Sequence, residues 1–129
     1  MEIVEYMYYG FGRVVLALSM ADGKIDQSEI QSLEENIAIV AKENKIDLSM
    51  VTTSFQQWKN SGNYTAEEVM RAGLHDFHLG DFHLTSELAS IFRAIVIDIV
   101  SAEAPITAEE EEMARNFISF LDEREKKVV

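Results

Sequence analysis

Apolar residues recur along this chain at intervals of three and four, and no segment sustains a two-residue alternation, so the pattern predicts helices throughout. Residues 2–21 form the first. Ile3, Met7, Gly10, Val14, Leu18 and Ala21 share one stripe, with Tyr6, Phe11 and Val15 beside it. Tyr9, Leu16 and Met20 point elsewhere and are also apolar, and a helix apolar on most sides is central in its bundle. Asp26 is placed as the N-cap of a second helix, with Glu29 at the capping-box position three residues on. That helix runs to about Asn44 and turns Ile30, Leu33, Ile37 and Val40 inward. A shorter third helix near 48–60 carries Val51, Phe55 and Trp58, and residues 60–63 read as a loop. Thr65 and Glu68 open a fourth helix, with Met70, Leu74 and Phe77 on one face and Gly80 as its stop. Thr85 or Ser86 starts a fifth, as apolar as the first, with Leu88, Ile91, Phe92, Ile95 and Ile99 inward. Thr107 and Glu110 open a sixth that buries Met113, Phe117, Phe120 and Leu121. The predicted fold is all-α, a compact bundle of about six helices.

The junction between the first two helices reads Ala21-Asp22-Gly23-Lys24-Ile25-Asp26-Gln27-Ser28-Glu29, placing three carboxylates and a glycine where one helix turns into the next. A fainter copy stands at 102–110, Ala-Glu-Ala-Pro-Ile-Thr-Ala-Glu-Glu. Aligning Ile25 with Ile106 aligns Asp22 with Glu103 and Glu29 with Glu110, as an internal helix–turn–helix duplication does. The first and fifth helices are therefore expected to pack on each other as the core. Helix pairs 1–2 and 5–6 are expected to be related by an approximate two-fold axis. Leu18, Phe92 and Ile95 are expected in the core.

Two readings of the acidic string remain open. In the first, Gly23 makes the turn, Ile25 enters the core, and Asp26 and Glu29 cap the second helix, worth about 1 kcal/mol; this leaves Asp22 over. In the second, Asp22, Asp26 and Glu29 bind a divalent cation, calcium or magnesium, with Glu103 and Glu110 of the second unit, backbone carbonyls or waters completing the shell. Affinity is then poor, with Kd on the order of 10⁻⁴–10⁻³ M. A regular EF-hand matches the second half of the string only. Its first and third ligands would fall on Leu18 and Met20, which supply no oxygen, so it is excluded.

A long apolar helix, Ala-Asp-Gly-x-Ile-x-x-x-Glu, an amphipathic helix and a second such unit near the C-terminus together resemble the TerB-like family. That family is named for tellurite-resistance proteins and is similar to the N-terminal domain of the DjlA co-chaperone. The resemblance covers nearly the whole chain and implies one all-helical domain, 1–129, built of two related halves. It also implies a divalent-cation or partner-binding surface made by the acids of the two turns, in a stress-related interaction module. The matching positions are Asp22, Gly23, Ile25 and Glu29 in the first unit, and Ile106 and Glu110 in the second. The second unit departs from the pattern: Glu103-Ala104-Pro105 stands in place of Asp-Gly-x, and the glycine that tolerates positive φ is lost.

Composition narrows the function. The 129 residues suit one domain. Net charge is −12, from 23 acidic against 11 basic residues, which repels phosphate backbones and argues against nucleic acid as a partner. The basic cluster at 124–127 closes the last helix, where cations complement the dipole. The longest apolar run, 14–20, is too short to span a bilayer, and the acidic start is unlike a signal peptide, so a cytoplasmic protein is expected. There is no cysteine, which excludes thiol nucleophiles and thiolate metal sites.

His75, His78 and His83 fall in one segment in which Asp-Phe-His-Leu occurs twice. An alternative function follows, a zinc-dependent enzyme using these three histidines with Asp76 or Asp81. The simpler expectation makes the histidines the polar exterior of a corner anchored by Phe77, Leu79, Phe82 and Leu84. Asp98, among Ile95, Val96, Ile97, Ile99 and Val100, is expected in a structural ion pair with Arg13 or Arg93. No nucleophile elbow, phosphate-binding glycine loop or metallohydrolase helix is present. No catalytic or cofactor-binding residue is assigned, and the expectation is a non-enzymatic binding module for a protein partner whose identity the sequence leaves open.

Overall fold

The structure, a computed structural model, describes residues 2–21, 27–60, 63–102 and 106–125. Their secondary structure is six α-helices: α1 (Ile3–Met20), α2 (Gln27–Asn44), α3 (Ser49–Asn60), α4 (Ala66–Gly80), α5 (Ser86–Ala102) and α6 (Ala108–Arg124). A single 3₁₀ turn, Asp81–His83, joins α4 to the segment before α5. The molecule is an all-α bundle, as the periodicity predicts. Among the described residues no helix is long and apolar enough to cross a membrane.

Local chemistry sets the helix ends. The Thr65 hydroxyl accepts from the N–H of Glu68 at 3.1 Å while the Glu68 carboxylate accepts from the N–H of Thr65, a complete capping box. Thr107 accepts from the N–H of Glu110 at 3.1 Å and Thr85 from that of Leu88 at 3.1 Å. Asp47 accepts from the N–H of Ser49 at 2.8 Å and starts α3. At the end of α2, Lys45 sits at φ 55°, so that its N–H reaches Lys42 O and that of Ile46 reaches Ala41 O. This is a Schellman closure with a lysine in the left-handed position that usually holds glycine.

α1 is the axis of the bundle, and every residue from 14 to 19 is buried. Its closest backbone neighbour is α4. A Cβ added to Gly10 would stand 2.5 Å from the Gly73 carbonyl oxygen and 2.9 Å from the Phe77 Cα, and one added to Gly80 would stand 2.6 Å from the Ile3 oxygen. Gly12 makes the matching approach to α3, where the Ser54 hydroxyl donates to Tyr9 O at 2.6 Å. The other side of α1 is aromatic. Phe11 stacks on Phe92 of α5 at 4.2 Å and on Phe117 of α6 at 5.7 Å, and Phe77 of α4 meets both partners edge-on. All four rings are fully buried. Leu18, Phe92 and Ile95 lie in this core, as expected.

Two expectations are sharpened. α1 does pack on α5, but its backbone seam is with α4 and α3, because glycines at 10, 12, 73 and 80 allow approaches that no side chain permits. Between the two expected units the contacts are crossed, with α2 lying against α5 and α6 against α1. α6 also packs directly on α5. The apolar residues given structural jobs at the corners are not all core. Phe77 and Leu84 are buried, but Leu79 and Phe82 are exposed, as are Ile3 of the first stripe and Ile106 at 43%.

Candidate functional site

The last turn of α1, the first half of α2 and the last turns of α5 enclose a groove of about 240 Å³. Helical spacing builds one wall. Glu29, Ser32 and Asn36 succeed one another at intervals of three and four along α2, with Leu33 on the same face reaching down into the core. Ser28 stands beside them, Ser19 closes the α1 side, and Asp98 enters from α5. Six oxygen-bearing side chains, two of them carboxylates, thus line one opening over an apolar floor of Leu33 and Ile99. The Ser19 hydroxyl donates to Val15 O at 3.0 Å, so its own lone pairs face outward from that bond. Such a donor set contains no nitrogen base and no sulfur, which suits a hard cation of the calcium or magnesium kind.

Glu29 is half-buried in this groove. Glu110, its counterpart in the second unit, is 0% exposed at the first turn of α6 and does not line the groove. Asp22, Asp26 and Glu103 lie outside the described residues, as do Gly23 and Ile25. Among the described residues, no three His, Asp or Glu side chains gather as a metal-binding group.

Asp98 is the residue that sequence reasoning misplaced. It is exposed and joins Glu29 in the groove, so the expected ion pair with Arg13 or Arg93 does not form. Both arginines are engaged elsewhere. Arg13 is held by Asp76 and sandwiched between the Tyr9 and Trp58 rings, 4.8 and 4.2 Å from their centroids. Arg93 binds Asp122 at 2.7 Å and Glu125 at 3.4 Å. Burial works against the Arg93 charge, but the hydrogen bonds to Asp122 and Glu125 outweigh it and raise the pKa above the usual arginine value. Asp98 stands alone among aliphatic neighbours in sequence, and only the position of α2 across from it makes it part of a groove.

The histidine segment is a polar exterior. His75 and His78 are exposed, and each faces one carboxylate: Asp76 at 3.6 Å and Asp81 at 2.8 Å. Those carboxylates are already shared with guanidinium groups, Asp76 with Arg13 and Asp81 with Arg124 at 3.0 Å. His83 is exposed and leans against the Phe82 ring.

Comparison of the chain with protein-family models, curated proteins and solved structures finds no match to any of them.

Proposed function

We propose that this chain is a non-enzymatic binding module of the TerB-like kind that takes a divalent cation, calcium or magnesium, weakly in the groove between α1, α2 and α5. The observation that carries the reading is the meeting of Glu29 and Asp98, from helices far apart in sequence, with three serines and an asparagine around one opening. Two carboxylates facing one space repel each other unless a cation or hydrogen-bond donors offset the charge. The hydroxyl and amide oxygens beside them complete the kind of shell that hard cations accept. The acidic turn that precedes α2 in sequence supplies Asp22 and Asp26 as further ligands in this reading. Affinity is expected at Kd on the order of 10⁻⁴–10⁻³ M, because the serine and asparagine donors carry no charge and Leu18 and Met20 stand where a regular calcium loop has oxygen ligands.

Calorimetric and NMR titration with calcium and with magnesium tests it. The unmodified chain should saturate at millimolar cation, with amide shifts centred on residues 28–36 and 98. Asp98→Asn and Asp22→Ala should each weaken the response at least about ten-fold, the lower end of what loss of even an outer-shell partner costs at a metal site. Identical titrations in all three proteins, or no response at millimolar cation, would reduce the acidic string to helix capping.

A further inference from the structure

We infer that a second groove, between the N-terminal halves of α4 and α6, is a docking site for a basic amphipathic helix of a partner protein. The inference rests on the reading of the chain as a binding module but not on the cation groove, which lies between other helices. The groove has a volume of about 360 Å³ and lies ahead of the aromatic contact between the later turns of α4 and α6. There Phe77 contacts Phe117 at 5.6 Å and Phe120 at 5.7 Å. Earlier in both helices the surfaces stand apart. Met70 and Leu74 of α4 face Met113 and Phe117 of α6, each pair four residues apart and so one above the other. Phe117 is buried, while Met70, Leu74 and Met113 are half-buried and packed against the core from its edge. Methionine adapts its shape to the side chain placed on it, which suits such a floor to receive apolar anchors.

The rim identifies the occupant. Glu67, Glu109 and Glu112 stand on it with one base, Arg71, and none of the four forms an ion pair with the described residues. Glu67 and Glu109 also complement the dipoles of their helices, but Glu112 lies beyond the first turn, where that effect has faded. An apolar trough between acidic edges complements a helix with apolar residues at i, i+3 or i+4 and i+7, flanked by lysine or arginine. A second copy of this chain, at net charge −12, brings the wrong sign.

The full chain is titrated with a synthetic peptide of leucine and lysine, about four helical turns long, patterned so that the leucines form one stripe. A scrambled peptide of the same composition is the control. Binding is read by calorimetry and by the methionine methyl resonances. The striped peptide should bind one-to-one, shift the methyls of Met70 and Met113, and leave that of Met50 on α3 unmoved. Glu109→Lys/Glu112→Lys should weaken binding about ten-fold, and Glu109→Gln/Glu112→Gln, which strains α6 less, about three-fold; Glu87→Lys on α5 should change it less than about two-fold. Equal binding of the scrambled peptide, equal loss in Glu87→Lys, or shifts centred away from Met70 and Met113 would overturn the proposal. The Asp98→Asn chain should bind the peptide unchanged, so failure of the cation reading and failure of this one are distinguishable.

Discussion

α1 and α2 are each 18 residues long and follow one another in the chain, yet they occupy opposite surroundings. α1 is enclosed by four helices, and over 14–19 it has no exposed face. α2 buries Ile30, Leu33 and Ile37 and leaves the rest of its circumference at or near the surface. The difference teaches which rule governs each helix. Where backbones meet, as at Gly10 and Gly73, the space beyond the Cα decides what residue is tolerated, and local helix propensity is overruled. Where a helix rests on one stripe, local rules for caps and termini hold, and the edge of the stripe is free to carry polar chemistry. Glu29, Ser32 and Asn36 sit on such an edge.

Four substitutions break or sharpen this contrast, and the largest effect belongs to the centre. Phe11→Ala removes a ring that touches Phe92 and Phe117, and should cost about 3–5 kcal/mol in urea denaturation. A loss under about 1 kcal/mol would mean that α1 is not the axis. Gly10→Ala comes next. At an exposed helix position the change would stabilise by about 1 kcal/mol; here the new methyl meets the backbone of α4, and a net loss of about 1–3 kcal/mol is expected. A gain in stability would show that α1 and α4 do not approach as closely as described.

At the end of α2 the sign reverses. Lys45→Gly releases a left-handed lysine and should raise stability by up to about 1 kcal/mol, since the relief exceeds the added freedom of the unfolded chain. A loss would place that residue outside the left-handed region. The smallest effect is at Asp47, just beyond α2. The Ser49 hydroxyl and N–H hold its carboxyl below the usual aspartate range. A depressed pKa stabilises the fold above the unfolded value, about 4, and that contribution is lost as pH falls through the lower folded value. Asp47→Asn should therefore flatten the fall in urea midpoint below about pH 4 and leave the curve near neutrality parallel to that of the unmodified chain. Burial, and secondarily the Asp47 charge, raise the pKa of the Tyr8 phenol. The same variant should thus bring the tyrosine absorbance titration partly back toward its ordinary range. An unchanged acid limb would show that the Ser49 contact contributes nothing measurable.

The helices and their ends were legible before any coordinates. Thr65-x-x-Glu68, Thr107-x-x-Glu110 and Thr85 cap helices by bonds spanning three residues, and such bonds depend on nothing distant. The absence of a polar face on α1 was equally plain, because it is a property of one segment alone. Of the candidate site the sequence singled out Glu29; Ser32 and Asn36 share its face by helical spacing but are uncharged residues that no motif marks. Asp98 was not legible as part of it. Its sequence neighbours suggested a buried ion pair, whereas α5 keeps one side open and Ile97, beside Asp98, is exposed.

The sequence by itself determined the number and approximate length of the helices, the caps at Thr65, Thr85 and Thr107, and that α1 lacks a polar face, since each of these follows from the order of residues within one or two turns. Tertiary structure alone decided that α1 seats Gly10 on α4 and Gly12 on α3 rather than on α5, that α2 lies against α5, and that Glu29 and Asp98 line one groove. Periodicity reports the angle of a side chain around its own helix axis. Which helix stands opposite depends on the fit of surfaces such as Gly10 against Gly73, and no local pattern records that pairing.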